Sequence, residues 1–166
     1  MPAQILVVMT FDLDASLVKA QAKEFGADLV GVVSADTLNE FPPDPKWPQT
    51  PERISPHAKS VIVIAKRIPI GAFRAKTNIP VQHVDMLVLR AMDRAAYKIT
   101  EWMEGEGYPS FVTAAQETDW NYKKASYGRL STRHLGIEAG LGSFGFVVNI
   151  LTPEFGPRVY LTGILT

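Results

Sequence analysis

A glycine-rich turn near the end of the sequence constrains the fold of this chain more than any other feature. Gly140, Gly142 and Gly145 fall within six residues and follow residues 132–139, whose composition is helical. A glycine just past a helix adopts a left-handed backbone at little steric cost. Because these residues carry no side chains, we expect either another part of the protein or a ligand to approach this backbone closely.

Two runs of strand character follow the glycines. Residues 146–151 and 158–165 are apolar and β-branched, and the turn sequence TPEFGP separates them. The string GLGSFG also matches the G-x-G-x-x-G pattern of dinucleotide-binding proteins, in which a strand precedes the glycines and a helix follows. Here the order is reversed, and no acidic residue stands about twenty residues further on to hold a ribose. The sequence therefore argues against a dinucleotide site.

The preceding residues alternate between helical and strand patterns. Strand character is found at residues 29–33, 60–65 and 108–115, and residues 60–65 are typical of a central strand with both faces covered. A helix over residues 14–25 is expected to begin at Asp14 and end at Gly26, while the apolar residues 5–9 form either a strand or an arm. Six prolines between residues 39 and 56 exclude a persistent helix or central strand there.

Residues 81–104 show the strongest helical pattern. Their apolar side chains recur every three or four positions and predict a core-facing stripe of Val84, Leu87, Ala91, Ala95, Ile99 and Trp102 or Met103. At about 35 Å, this helix is long enough to cross the sheet. A basic group stands between the central strand and this helix, and it suits either a solvated loop or an anionic ligand: Lys66, Arg67, Arg74 and Lys76.

These elements predict one α/β domain over residues 1–166, an α+β sandwich in which helices flank a mixed sheet. The absence of cysteine excludes disulfides, thiolate-bound zinc and iron-sulfur clusters held by this chain's own side chains. The 17 basic and 17 acidic residues balance, so nucleic acid is not an expected partner. The apolar start is too short for a membrane span and lacks a basic leader, so we expect a cytoplasmic protein without a membrane partner.

The glycine-rich block resembles the end of the cobalamin-binding domain in epoxyqueuosine reductases and reductive dehalogenases. The resemblance is carried by residues 134–142 (HLGIEAGLG), Gly145, residues 151–158 (LTPEFGPR) and residues 164–166 (ILT). It extends more loosely to residues 25–31 (FGADLVG) and 56–63 (PHAKSVIV). In that family a similar glycine turn lies close to the corrinoid, and the next strand leads into a cysteine-rich iron-sulfur module.

The resemblance implies a nitroreductase-like fold with cobalamin as the cofactor. A corrinoid needs backbone groups at close range, small residues where its flat ring lies and polar side chains at its rim. The cofactor-binding residues expected on this basis are Tyr127, Arg129, Ser131, Arg133, His134, Gly140, Leu141, Gly142, Ser143, Phe144, Gly145, Phe146 and Asn149. The spacing of these residues does not distinguish cobalamin from FMN, because a flavin site also needs close backbone groups, small residues and a few polar side chains. A ligand-free scaffold whose glycines serve only packing is the third alternative.

Two of these residues also have simple structural interpretations. His134 lies inside the predicted helix without a second histidine one turn away, which favours a hydrogen-bonded structural role over a metal ligand, and no metal site is expected. Ser131 stands where the N-cap of the same helix is predicted.

Catalysis is where the sequence departs from the family. Epoxyqueuosine reductases carry a catalytic aspartate shortly before this helix, but Ser126 stands near that position and no acid lies between Ala125 and Arg133. Reductive dehalogenases employ a tyrosine as proton donor, which makes Tyr127 the candidate catalytic residue.

The family's iron-sulfur module would begin where this sequence ends. We therefore expect either the first part of a longer iron-sulfur protein or a corrinoid-binding domain served by a separate low-potential reductase. Whether the chain alone is an enzyme, and whether it forms a homodimer, stays open from the sequence.

Overall fold

The protein was analysed as a computed structural model, which describes residues 13–114 and 128–166. In chain order its elements are α1 (Ala15–Glu24), β1 (Leu29–Ser34), α2 (Ala35–Glu40), β2 (Ser60–Arg67), α3 (Ile79–Gly105), β3 (Phe111–Val112), α4 (Thr132–Glu138), β4 (Ser143–Phe144), β5 (Ile150–Leu151) and β6 (Val159–Leu165). Short 3-10 helices lie at Pro51–Arg53 and Ile70–Arg74. Within these ranges no helix has the length and apolar character that a membrane span requires.

The main sheet has the strand order β1-β2-β6-β3, and each of its three pairings is antiparallel. The five residues from Val61 to Ala65 in β2 are all buried, because β1 and β6 flank this strand and helices cover both of its faces. The predicted central strand is confirmed. A separate hairpin is formed by β4 and β5, and it is called the β4–β5 hairpin (residues 143–151) below.

Helices pack on both faces of the sheet and create two hydrophobic cores. On one face α1 and α3 cover Ile62, Ile64 and Ile164. On the other face α4 covers strand residues that include Val61 and Val63, which point away from the first core because side chains alternate along a strand. The predicted α+β sandwich is confirmed. The sheet was expected to be mixed, but among the described strands it is antiparallel.

Glycines at three contact points allow α4 to lie very close to the sheet. A Cβ atom at Gly31 of β1 would stand 2.6 Å from the Cβ of Ala139, which ends α4. A Cβ at Gly136 of α4 would stand 2.7 Å from Cδ1 of Ile150, and one at Gly163 of β6 would stand 3.0 Å from Cδ1 of Leu135. Protein interiors have no room for such overlaps, so this helix depends on glycine at these positions.

The boundaries of several predicted elements agree with the structure. The strand over 158–165 and the helix over 14–25 are confirmed as β6 and α1, and Gly26 follows α1 with a φ of 110°. The strand over 146–151 is wrong in its first four residues, which form the turn of the β4–β5 hairpin. The strand over 108–115 is reduced to Phe111–Val112 among its described residues. Residues 5–9 lie outside the described ranges.

The long helix is confirmed as α3, but its buried face is rotated from the predicted stripe. Ala95, Ile99 and Met103 are buried as expected, whereas Leu87 is 47% exposed and Ala91 is exposed. Val88 and Met92 occupy the core in their place. The helix carries more apolar residues than one face can bury, and the periodicity therefore did not define which of them meet the sheet.

Because of this orientation of α3, two substitutions on the helix should differ in how much they lower the free energy of unfolding. We expect Met92→Ala to lower the free energy of unfolding by about 3 kcal/mol, because it leaves a cavity in the core between α3 and the sheet. We expect Leu87→Ala to lower it by less than about 1 kcal/mol, because nearly half of that side chain already contacts solvent. Urea denaturation at low protein concentration measures both values. Equal costs would contradict the observed helix orientation.

Candidate functional site

A cavity of about 810 Å³ lies on the α4 side of the sheet. Most of its wall comes from three parts of the chain: the residues that lead into and begin α4, the β4–β5 hairpin, and the end of α2 with the proline-rich segment after it. Ala114, just after β3, adds to the wall. The lining residues are Glu40, Phe41, Pro42, Pro43, Asp44, Pro45, Gln49, Ala114, Gly128, Leu130, Ser131, Thr132, Arg133, His134, Phe144 and Val148. This volume is within the range of pockets that hold small molecules and cofactors.

The start of α4 supplies the polar part of the wall. Ser131 is at the N-cap position as predicted, but its hydroxyl makes no capping hydrogen bond. Nη1 of Arg133 donates to the carbonyl oxygen of Val148 at 2.8 Å and so joins α4 to the hairpin. Nε2 of His134 lies 3.1 Å from the carbonyl oxygen of Phe41 and 4.0 Å from a carboxylate oxygen of Glu138. His134 is therefore hydrogen-bonded, as its structural interpretation expects, and it also lines the cavity.

The proline-rich segment forms the opposite wall, and the sequence did not predict this. Residues 41–45 line the cavity, and Nε2 of Gln49 donates to the carbonyl oxygen of Gly128 at 2.7 Å. The prolines restrict the φ angles of this wall, and the backbone nitrogen of Trp47 donates to the carbonyl oxygen of Asp44 at 3.0 Å. The run Phe41-Pro42-Pro43, an apolar surface on a stiff backbone, is the sequence signal from which this wall could have been found.

The β4–β5 hairpin presents an apolar surface next to the cavity. Phe144 and Val148 line the cavity, while Phe146 is fully exposed and Val147 is 78% exposed. Val148 has a φ of 56°, which is rare for a β-branched residue and costs on the order of 1–3 kcal/mol. The backbone nitrogens of Gly145 and Val148 close the turn by donating to the carbonyl oxygens of Asn149 and Gly145 at 2.8 and 3.0 Å.

The three glycines of the turn serve different purposes. A Cβ at Gly142 would overlap the backbone carbonyl of Leu151 and stand 2.8 Å from its carbon atom. A Cβ at Gly145 would stand 2.9 Å from Cδ1 of Leu151. Gly140 has a φ of 75° and open space around it. At Gly142 and Gly145 the protein's own strand makes the close approach, so the interpretation of these two positions as open space for a ligand is corrected.

The other expected cofactor-binding residues divide into three groups. Ser131, Arg133, His134 and Phe144 line the cavity together. Leu141 is buried in the core, and the side-chain oxygen of Asn149 accepts a hydrogen bond from the backbone nitrogen of Ile150 at 3.0 Å. Arg129, Ser143 and Phe146 are exposed and do not line the cavity. Tyr127 lies outside the described residues.

The charges at the cavity are mixed. Glu40, Asp44 and Arg133 line it, whereas the basic group Lys66, Arg67, Arg74 and Lys76, at and after the end of β2, does not. Two members of that group contact Asp28 instead, with Nζ of Lys66 at 3.3 Å and Nε of Arg67 at 3.9 Å from its carboxylate oxygens. Among residues 13–114 and 128–166 no three side chains of the metal-ligating kinds come together. The cavity therefore offers a ligand both apolar surface and hydrogen-bonding side chains.

Solved structures with a similar fold come from two kinds of protein. Epoxyqueuosine reductase, as its selenomethionine-labelled form, superposes with a TM-score of 0.59 at 18% identity over 90% of this chain, and the enzyme from Streptococcus thermophilus gives 0.57 at 18% over 92%. A catabolic reductive dehalogenase gives 0.65 at 15% identity over 90%. The fold is shared with epoxyqueuosine reductases and reductive dehalogenases.

The shared epoxyqueuosine-reductase-like fold covers only part of those proteins. This chain spans 44% and 46% of the two epoxyqueuosine reductases and 20% of the dehalogenase. A further reductive dehalogenase, whose structure suggests a mechanism for B12-dependent dehalogenation, gives a TM-score of 0.63 at 16% identity over 90% of this chain. No protein-family model and no curated protein sequence matches the chain.

Proposed function

We propose that this chain is the cobalamin-binding domain of an oxidoreductase of the reductive dehalogenase or epoxyqueuosine reductase type. One observation carries the proposal: the cavity beside α4 and the glycine turn occurs in a fold shared with a B12-dependent dehalogenase. The predicted residues Ser131, Arg133, His134 and Phe144 meet at this cavity, which supports the assignment of the site.

The residues at the cavity suit the chemistry of a corrinoid. Its broad apolar face would lie against Phe41, Phe144 and the exposed tip of the β4–β5 hairpin, where apolar side chains otherwise meet water. Its amide rim would receive hydrogen bonds from Ser131 and Arg133 at the start of α4. When bound, cobalamin supplies a cobalt centre that becomes strongly nucleophilic once reduced. The described residues would hold the ring and exclude water from one face.

Two parts of the proposed reaction depend on groups beyond these cavity walls. The chain has no cysteine, so electrons would come from an iron-sulfur or other low-potential reductase, either in the same protein or in a separate one. Tyr127 stays the predicted proton donor. It directly precedes Gly128, whose carbonyl oxygen helps to form the cavity wall.

A spectroscopic titration tests this function. We expect the visible bands of cobalamin to shift when the protein is added, and FMN fluorescence to stay unquenched. Phe144→Ala should weaken cobalamin binding about tenfold, because it removes an aromatic surface that the corrin would cover. Leu17→Ala is the matched control, since Leu17 is 51% exposed on α1 and Phe144 is 48% exposed. Quenched flavin fluorescence with unchanged cobalamin bands would identify FMN as the ligand instead. No change with either compound would indicate a ligand-free scaffold.

A further inference from the structure

The outer face of α3, on the opposite side of the sheet from the cavity, exposes apolar residues along its length. Ile79 is 72% exposed, Met86 51%, Leu87 47% and Tyr97 59%. Ile79, Met86 and Tyr97 lie in one row on a helix with 3.6 residues per turn, with Leu87 beside it. Apolar side chains exposed in a row on a helix indicate a surface that another element covers.

Charge is divided unequally along the same face. Arg74 and Lys76 are exposed just before α3 begins, and Glu104 and Glu106 are exposed where it ends. Between these ends Arg90 and Asp93 are exposed near the middle of the helix. Arg94, Lys98 and Glu101 are exposed as well, so the helix has basic residues before its start, acidic residues at its end, and a mixture of apolar and charged residues between them.

This distribution is complementary to itself in one orientation only. If a second α3 lies antiparallel across the first, with the two-fold axis near residues 91 and 92, Met86 of each copy meets Tyr97 of the other. Arg90 then faces Asp93, and the acidic end of each helix meets the basic end of the other. Antiparallel helix dipoles add to this attraction. A parallel arrangement would place like charges together at both ends.

The area that two α3 faces would bury indicates how stable a contact between them would be. Twenty-seven residues of helix are about 40 Å long and about 10–12 Å wide, so a pair of these faces covers roughly 1,000 Å² in total. The exposed Ile70 and Phe73 lie beside the basic end and add to this area. Interfaces of this size are at the small end of specific protein contacts, which corresponds to a reversible dimer.

We infer that this chain forms a symmetric homodimer through the outer faces of two antiparallel α3 helices. The second copy is favoured as the occupant because the oppositely charged ends of the face meet under this two-fold axis, as do the pairs Met86–Tyr97 and Arg90–Asp93. Since the sheet separates α3 from the cavity, the dimer leaves both cavities open. The inference does not rest on the proposed function, and either can fail without the other.

Charge-reversed variants of the 166-residue chain test the inference. Sedimentation velocity from about 10 µM to about 1 mM should show the mass of the parent rising from 18.3 kDa toward twice that value. Arg74→Glu with Lys76→Glu makes both ends of the face acidic, and Glu104→Lys with Glu106→Lys makes both basic. Each variant alone should stay monomeric. An equal mixture of the two should associate at least as tightly as the parent.

Matched measurements distinguish this contact from other causes. Circular dichroism should show that both variants keep the parent's helix content, because all four substituted residues are exposed. Phe146→Ser removes an exposed apolar side chain from the other side of the sheet and should leave the dimer intact. A parent that stays monomeric throughout, variants that dimerise as the parent does, or a mixture that stays monomeric would each overturn the inference.

Discussion

Replacing Gly142 by alanine is expected to lower the free energy of unfolding by about 2–3 kcal/mol and to weaken cobalamin binding more than tenfold. The added Cβ would overlap the backbone carbonyl of Leu151, and a backbone atom cannot rotate away as a side chain can. Relief requires β4 and β5 to separate where Ser143 pairs with Leu151. That movement would displace Phe144 and Val148 from the cavity wall.

Gly145→Ala provides the matched comparison within the same hairpin. Its Cβ would meet Cδ1 and Cγ of the Leu151 side chain at 2.9 and 3.0 Å, and this side chain can change rotamer. We expect less than half the loss of stability and a binding constant within about threefold of the parent. Thermal unfolding and the cobalamin titration measure the two quantities separately. If Gly142→Ala binds cobalamin as the parent does, the hairpin is not part of the site.

Replacing Gly31 by alanine is expected to cost about 3 kcal/mol and to lower the melting temperature by about 8 °C. The new Cβ would overlap the carbonyl oxygen of Ala139 and stand 2.6 Å from its Cβ. Gly31 lies within β1 and pairs with Val63 of the central strand, so β1 cannot move away from α4 without breaking this pairing. The end of α4 would have to move outward and open the core beneath Leu135.

The control for this substitution is Gly71→Ala. Gly71 lies in the 3-10 helix Ile70–Arg74 with no atom within 4 Å of its added Cβ, so the change should stay within about 0.5 kcal/mol of the parent. Calorimetry of both variants gives the comparison. A melting temperature for Gly31→Ala close to that of Gly71→Ala would show that α4 does not lie as close to the sheet as the structure has it.

The sequence predicted the elements with the clearest hydrophobic pattern. Residues 61–65 are continuously apolar, which is typical of a short strand covered on both faces, and β2 is such a strand. The helix over residues 81–104 was equally well defined, yet its orientation was not. Leu87 and Ala91 fit the same helical period as the buried Met92, and only the position of the sheet decides between them.

The site could be predicted only in part, because long-range contacts form most of it. The run at the start of α4 was found from local pattern and resemblance, and three of its expected residues line the cavity together with Phe144 of β4. The wall formed by residues 41–45 comes from a segment about ninety residues earlier, and its contact with His134 has no local signal. Close approach to the backbone was predicted for the glycines, and it is found at Gly142 and Gly145 but not at Gly140. Which atoms approach them, those of Leu151, is decided by the hairpin register.

The contact between Gly142 and Leu151 fixes the strands of the β4–β5 hairpin without involving the side chains at its tip. Backbone atoms fix the position of the two short strands, whereas Phe146 and Val147 at the tip extend into solvent. We therefore expect substitutions at the tip to have little effect on folding. These two side chains can be exchanged to change the exposed surface beside the cavity while the strands beneath keep their positions.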